Sequence, residues 1–223
     1  MSRRSDPVLH RDDPSKEPLV GHVKVTREDW LNVARAILVG DGVAEVKILP
    51  ISERLGVSRS SFYWYFKNRE DLLGALLEDW ARRNTSTLVA HCGMPAATIT
   101  GAVCNFFRCF LAPDLFDPGL DFAVREWARR DAAVREIIDR ADKDRLAAVR
   151  EMFARHGYDP FDADVRARIL YFMQLGYHAL EQAEPMAERL GRLEGYLEGF
   201  TGHAPAPGEC DALRVFAKEE AGS

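Results

Sequence analysis

ISERLGVSRSSFYWYFKNREDLL, residues Ile51 to Leu73, is the stretch whose reading decides the fold. Its spacing predicts a short helix from Ile51 to Leu55, a turn centred on Gly56, a second short helix dense in aromatics, and a new helix beyond Asn68. Ile51, Leu55, Val57, Phe62 and Phe66 are the apolar positions. Phe62 and Phe66 share one helical face, so they can pack down onto Ile51 and Leu55. Gly56 supplies the backbone freedom that a tight turn needs, and Ser58 is the expected N-cap of the aromatic helix. Arg59 stands at the helix start, and Ser60, Ser61, Tyr63 and Trp64 fall on other faces, with Lys67 and Arg69 just beyond. A helix anchored by phenylalanines and presenting Arg, Ser, Tyr and Trp outward is suited to meeting DNA. The alternative, an ordinary helical hairpin, leaves the outward Tyr and Trp without a reason.

Upstream, a helix is expected over about 26–39, with Trp30, Val33, Ala34, Ile37 and Leu38 on one side. Thr26 and Asp29 form a capping box in which Asp replaces the usual Glu, and Gly40-Asp41-Gly42 ends the helix. The start Thr26-Arg27-Glu28-Asp29-Trp30, Gly42, and the run GVSRSSFYWYFKNREDLL together resemble the DNA-binding domain of the TetR family of bacterial transcriptional regulators. Three positions depart from that pattern. Ser52 stands where Ala is usual, Pro50 where a polar residue is common, and Tyr65 where His is frequent. Ser is close to Ala in size and Pro is tolerated in a first helical turn; Tyr65 bears on operator preference. The resemblance covers residues 22–84 and is weaker beyond Asn84.

Bulk properties agree with a compact helical protein. The 223 residues are 47% hydrophobic, enough for a substantial core, and no apolar run reaches the length of a membrane helix. The N-terminus MSRRSDPVLHRDDPSKEPLV has no signal-peptide hydrophobic segment, so a cytoplasmic location is expected. Its mixed charges and three prolines predict a disordered arm over 1–21, from which Arg3 and Arg4 are available to phosphates. Four cysteines, Cys92, Cys104, Cys109 and Cys210, show no CxxC spacing and read as buried thiols; His91-Cys92 is too little for a metal site. The net charge is −5, unevenly spread: residues 22–84 hold ten Lys/Arg against nine Asp/Glu, and residues 85–223 hold sixteen against twenty-two. A nearly neutral head binds DNA through placed contacts rather than a broad basic field, and an acidic body favours docking by the head alone.

The remaining pattern is helical nearly throughout, so the fold class is all-α with about nine helices. After Asn68 a helix runs through LLGALLEDWARR to about Arg83, its Leu72, Leu73, Leu76, Leu77 and Trp80 joining head to body. Further helices are expected over about 95–111, through LDFAVREWARR, over 131–156 with Val134, Ile137, Ile138, Leu146, Val149 and Phe153 inward, over 162–183, and from Pro185 to near Gly199. The division expected is a head over 22–84, a body over 85–201, and a flexible tail over 202–223, although LRVFAKEE can form a short helix. The helix at 162–183 is apolar over most of its circumference, which a monomer cannot cover. Gly191, Gly195 and Gly199 recur every four residues, each costing about 1 kcal/mol against Ala inside a helix; they mark either a close backbone approach or a fraying helix. A homodimer interface including Leu175, Gly176, Ala179, Gly195 and Gly199 is therefore expected, in line with the family, whose members pair through their last two helices.

The family resemblance implies an N-terminal three-helix, homeodomain-like helix-turn-helix domain and a C-terminal ligand-binding and dimerisation domain. It implies sequence-specific DNA binding, usually repression, at a near-palindromic operator. Arg59, Ser60, Ser61, Trp64 and Tyr65 are the candidates for base edges; Tyr63, Lys67, Thr26 and Lys47 are those for phosphates. For a largely apolar small-molecule effector the candidates are Phe106, Phe107, Phe110, Trp127, Tyr171, Gln174 and His178. Two of these have a second reading: Trp127 as core, and His178 as a hydrogen-bonded core or interface residue. The rival classes are an all-helical enzyme and a DNA-binding or interaction module without ligand control. GxSxG, HExxH, a phosphate-cradling glycine loop and a Glu-x-x-His pair are all missing, and His178-x-x-Glu181 has the reverse order, so no enzyme, cofactor or metal is expected. A body of some 140 residues is excessive for a simple tether.

Overall fold

The computed structural model describes residues 25–112, 114–182 and 184–221. The arm expected over 1–21, with Arg3 and Arg4, lies outside the described residues. Among those described there are eleven α-helices and no strand. They are α1 (Arg27–Asp41), α2 (Ile48–Leu55), α3 (Arg69–Trp80), α4 (Thr87–Gly93), α5 (Ile99–Arg108), α6 (Pro118–Ala128), α7 (Ala132–Arg155), α8 (Pro160–Ala179), α9 (Met186–Gly191), α10 (Leu193–Thr201) and α11 (Asp211–Ala221). A 3-10 turn at Val43–Glu45 leads into α2, and the aromatic helix, Arg59–Trp64, is itself 3-10.

Helix starts follow from side chains that accept orphan backbone N–H groups. Thr26, Asn68, Thr98, Asp117, Asp131 and Asp159 each accept such a bond at the N-cap of α1, α3, α5, α6, α7 and α8. The capping box of α1 is complete: Thr26 Oγ1 accepts from the Asp29 N–H at 3.2 Å, and Asp29 Oδ2 accepts from the Thr26 N–H at 2.7 Å.

Two hydrophobic cores organise the chain. The first holds Trp30, Leu31, Ile37, Leu38, Ile51, Phe62, Phe66, Leu72, Leu76 and Trp80 of the head, and continues into Leu120, Val124 and Trp127 of α6 and Val134 and Ile138 of α7. The second lies in the body among α4, α5, α7, α8, α10 and α11, around Phe106, Phe110, Phe116, Val149, Phe153, Leu170 and Tyr171. The head therefore completes its core with a wall from α6, which is distant in sequence.

Three helical stretches run differently from their sequence expectation. The helix after Asn68 does not stop near Arg83: it passes through a π-helical stretch, Ala81–Ser86, directly into α4 and ends at Gly93, crossing residues 84 and 85 without a break. The single helix expected from Pro185 is two, because Arg192 departs from helical backbone at φ −100°, ψ 2° between α9 and α10. The tail expected to be flexible over 202–223 carries α11 instead. Gly202 ends α10 in the left-handed conformation, and Cys210, Leu213 and Ala217 then recur at helical spacing and are buried against the body. Glu209 accepts from Thr98 and, at 2.7 Å, from Thr100, and the Arg108 guanidinium lies 4.1 Å over the Phe216 ring. These contacts fasten the tail across α5.

All four cysteines are free and buried, and burial pushes the thiols of Cys92, Cys104 and Cys109 up to about 12. No helix among the described residues is long and apolar enough to cross a membrane.

Candidate nucleic-acid interface

The 3-10 helix is held from beneath. Phe62 is fully buried and Phe66 nearly so; the Phe62 ring meets Trp30 edge-on at 5.3 Å and stacks with Phe66 at 5.3 Å. The Arg27 guanidinium caps the other face of this cluster, 5.0 Å over the Phe66 ring. Gly56 turns the chain between α2 and the 3-10 helix at φ 69°, ψ 31°, a left-handed conformation that favours glycine. With the apolar face pinned, the opposite face is open: Trp64 is 80% exposed and Tyr63 59% exposed, beside exposed Arg59, Ser60 and Lys67.

Other candidates are already engaged within the head. Tyr65, expected at a base edge, is half-buried and donates its hydroxyl to the Val25 carbonyl at 2.7 Å, tying the start of the described chain to the reading element. Ser61 is half-buried and donates to the Ser58 carbonyl at 2.7 Å. Ser58 makes no side-chain cap; its hydroxyl meets that of Ser60 at 2.8 Å. Thr26 is exposed but caps α1, and exposed Lys47 pairs with Glu45 at 3.1 Å. Arg69, placed among the DNA-facing residues by its position in sequence, folds inward. Its Nε donates to the Val46 carbonyl at 2.6 Å and its Nη2 to the Val43 carbonyl at 2.7 Å, fixing the loop between α1 and α2.

This three-helix head with one pinned and one open face coincides with a family match. Residues 31–76 fit the family model described as bacterial regulatory proteins, tetR family. The chain carries a TetR-family DNA-binding domain as its head. Tetracycline repressor protein class C of Escherichia coli is 27% identical to it over 184 residues, which cover 82% of this chain and 78% of the repressor. A solved protein of Pseudomonas aeruginosa PAO1 superposes with a TM-score of 0.58 at 17% identity, covering 85% of this chain and 93% of its own. Mycobacterium smegmatis AmtR does so with a TM-score of 0.54 at 16% identity, covering 96% and 98%. These two share the fold. The protein is a DNA-binding transcriptional regulator.

Two polar clusters centred on buried carboxylates brace the regulator, the first within the reading head and the second between head and body. Asp79 of α3 is almost fully buried and accepts from Arg35 of α1 at 2.7 Å, from Arg83 at 3.1 Å, and from Arg82. Below it, the carboxylate of buried Asp121 accepts from Trp80 Nε1 at 2.8 Å, from Arg145 Nη2 at 2.9 Å and from Arg125 Nε at 2.9 Å. Burial alone would raise this carboxyl, but Arg145 and Arg125 outweigh burial and hold it below the usual carboxylate range. Fully buried Arg145 also donates from Nε to Thr85 at 3.0 Å, and Asn84 donates to the Asp117 carbonyl at 2.7 Å. Arg125 grips Asp142 through both terminal nitrogens, at 2.9 and 2.6 Å, and Tyr171 donates to Asp142 at 2.6 Å. The continuous helix from Arg69 to Gly93 is thus fixed to α6 and α7 by directed bonds, and Tyr171 joins α8 to the same network.

The effector candidates do not share one chamber. Phe106, Phe110 and Tyr171 are core residues, whereas Trp127 belongs to the head's core and donates to Asp131 at 3.2 Å. Phe107 and Gln174 line a narrow groove formed with α8, α9, α10 and α11 and partly open to solvent. His178 and Trp127 line a different cleft, between the Leu38–Ala44 segment and α6. His178 Nε2 lies 2.8 Å from Gln174 Nε2; an amide nitrogen only donates, so the imidazole accepts and is neutral there. Burial, and then the charge of Arg189, push its pKa down to about 4.

Among the dimer candidates, Leu175 and Gly176 are half-buried, and Ala179, Gly195 and Gly199 are exposed. A Cβ built on Gly176, Gly195 or Gly199 would meet nothing within 4 Å in the protomer. α8 also exposes Phe161 (79%), Val165, Ile169 and Phe172 (51%), a stripe at helical spacing.

Proposed function

We propose that this regulator is a repressor that occupies a near-palindromic operator as a two-fold homodimer and releases it when a small, largely apolar molecule enters the body. The observation that carries the DNA reading is the contrast within one turn between buried Phe62 and outward Trp64. Arg59, Ser60 and Trp64 meet base edges in this reading. Tyr63, Lys67, Thr26 and Lys47 meet phosphates; Ser61 and Tyr65 position the element. Two such elements enter successive major grooves about 34–36 Å apart. Arg59→Ala should weaken operator binding by about 1–3 kcal/mol in a gel-shift titration. Equal weakening on operator and random duplex would refute base contact.

The homodimer reading is supported by the α8 stripe, which is too apolar for a solvated face, and by glycines on α10 that no neighbour in the protomer crowds. Release is read as a change in head separation transmitted by the helix from Arg69 to Gly93. A hundredfold loss of operator affinity needs about 2.7 kcal/mol of coupling, within the ordinary allosteric range. A genome-wide binding map followed by a compound screen against the recovered operator tests both halves. A protein that holds its operator regardless of every apolar compound that binds it would end the effector reading.

A further inference from the structure

The groove lined by Phe107 and Gln174 carries a cation without a carboxylate partner among the described residues. Arg189 lies on its wall with the guanidinium carbon 4.5 Å from the centre of the Tyr177 ring, and among the described residues it forms no ion pair. The neighbouring carboxylates of Glu184 and Glu188 both turn to Arg192 instead. Apart from Gln174, Glu184 and the Tyr177 and Tyr196 hydroxyls the wall is apolar, with Phe107, Leu111, Met173, Leu193 and Leu213. Neutral His178, bonded to Gln174 beside the groove, supplies no second cation.

An aromatic face under a guanidinium fixes its plane and leaves its N–H edge to a partner. That edge matches a carboxylate bidentately, and charge-assisted pairs of this kind outweigh neutral hydrogen bonds about twofold. A single cation, with Glu184 also on the wall, suits one negative charge and not the two of a phosphate monoester. The geometry points to an amphipathic monocarboxylate as the occupant, its hydrocarbon against the apolar wall and its carboxylate on Arg189. This rests on the effector reading above and names the chemical class that the groove selects.

The test is calorimetric titration of the full chain with sodium decanoate, decanol and decyltrimethylammonium below their micellar concentrations, three head groups on one tail. The expected result is decanoate binding about tenfold or more tighter than decanol. Arg189→Gln should erase that advantage while leaving decanol unchanged, and Arg189→Glu should turn the preference to the ammonium; thermal melts confirm that both variants fold. Equal affinity for decanol and decanoate, or an advantage that survives Arg189→Gln, overturns the proposal, as does failure of all three to bind. Operator release measured on the same samples separates the two readings. Decanol that binds and releases as well as decanoate keeps the apolar effector and overturns the anion. Decanoate held by Arg189 without release supports the anion site and counts against induction.

Discussion

Phe62 and Trp64 stand two positions apart on one short helix, and the difference in their surroundings separates stability from recognition. Phe62→Ala should destabilise the protein by about 3–5 kcal/mol in chemical denaturation, because it empties a filled site against Trp30 and Phe66. Trp64→Ala should leave the denaturation midpoint unchanged within about 0.5 kcal/mol and yet weaken operator binding. A second residue prediction concerns His178. Its pKa falls from an ordinary 6.5 to about 4 in the folded protein, so between those values the unfolded chain binds more protons. Stability should accordingly fall as pH drops from about 6.5 towards 4, and His178→Gln should flatten that slope between pH 6.5 and 5, where ordinary carboxylates stay ionised. At this scale the sequence is legible wherever partners are close along the chain, as with Phe62 and Phe66 or Thr26 and Asp29. Tyr65 and Arg69 were not legible, because their partners, Val25, Val43 and Val46, are brought to them only by the completed head.

Element boundaries follow the same rule. Capping residues announce α1, α6 and α7 within a few positions, since a cap and the N–H groups it serves are neighbours. The pairing of α6 with α7 is another matter. Asp121 and Arg145 look like solvated surface charges in the sequence, and only the packed helices reveal them as a buried pair. Asp121→Asn should cost about 3–5 kcal/mol, measured by denaturation at pH 7, because it takes from buried Arg145 its nearest counter-charge and leaves only Asp142, at 4.0 Å. With its carboxyl held below the ordinary range, Asp121 contributes this stability above its unfolded pKa and loses it as pH falls through the folded value. α11 was legible only in part, as the short helix that LRVFAKEE can form: a Pro- and Gly-rich lead-in precedes it, and two of the three buried residues that hold the tail, Cys210 just before it and Ala217 within it, are small.

For the whole molecule, the head's dependence on α6 means that reading element and body unfold together, which no local pattern announces. The α8 stripe belongs to this scale as well. Ile169→Glu combined with Phe172→Glu should shift sedimentation to a 25.1 kDa species and weaken operator binding with the chain still folded, since both side chains are about half exposed in the protomer. Between head and body, the wide turns of Ala81–Ser86 have a consequence of their own. A π-helical stretch is an α-helix holding a surplus residue. Excising one residue from an ordinary helix swings everything downstream by about 100° and shortens it by about 1.5 Å. Excising exposed Ser86 should instead let the stretch relax into regular winding, with Trp80 and Leu88 keeping their relative bearings. The shaft therefore has a spare thread at its midpoint, the one place where its length is negotiable.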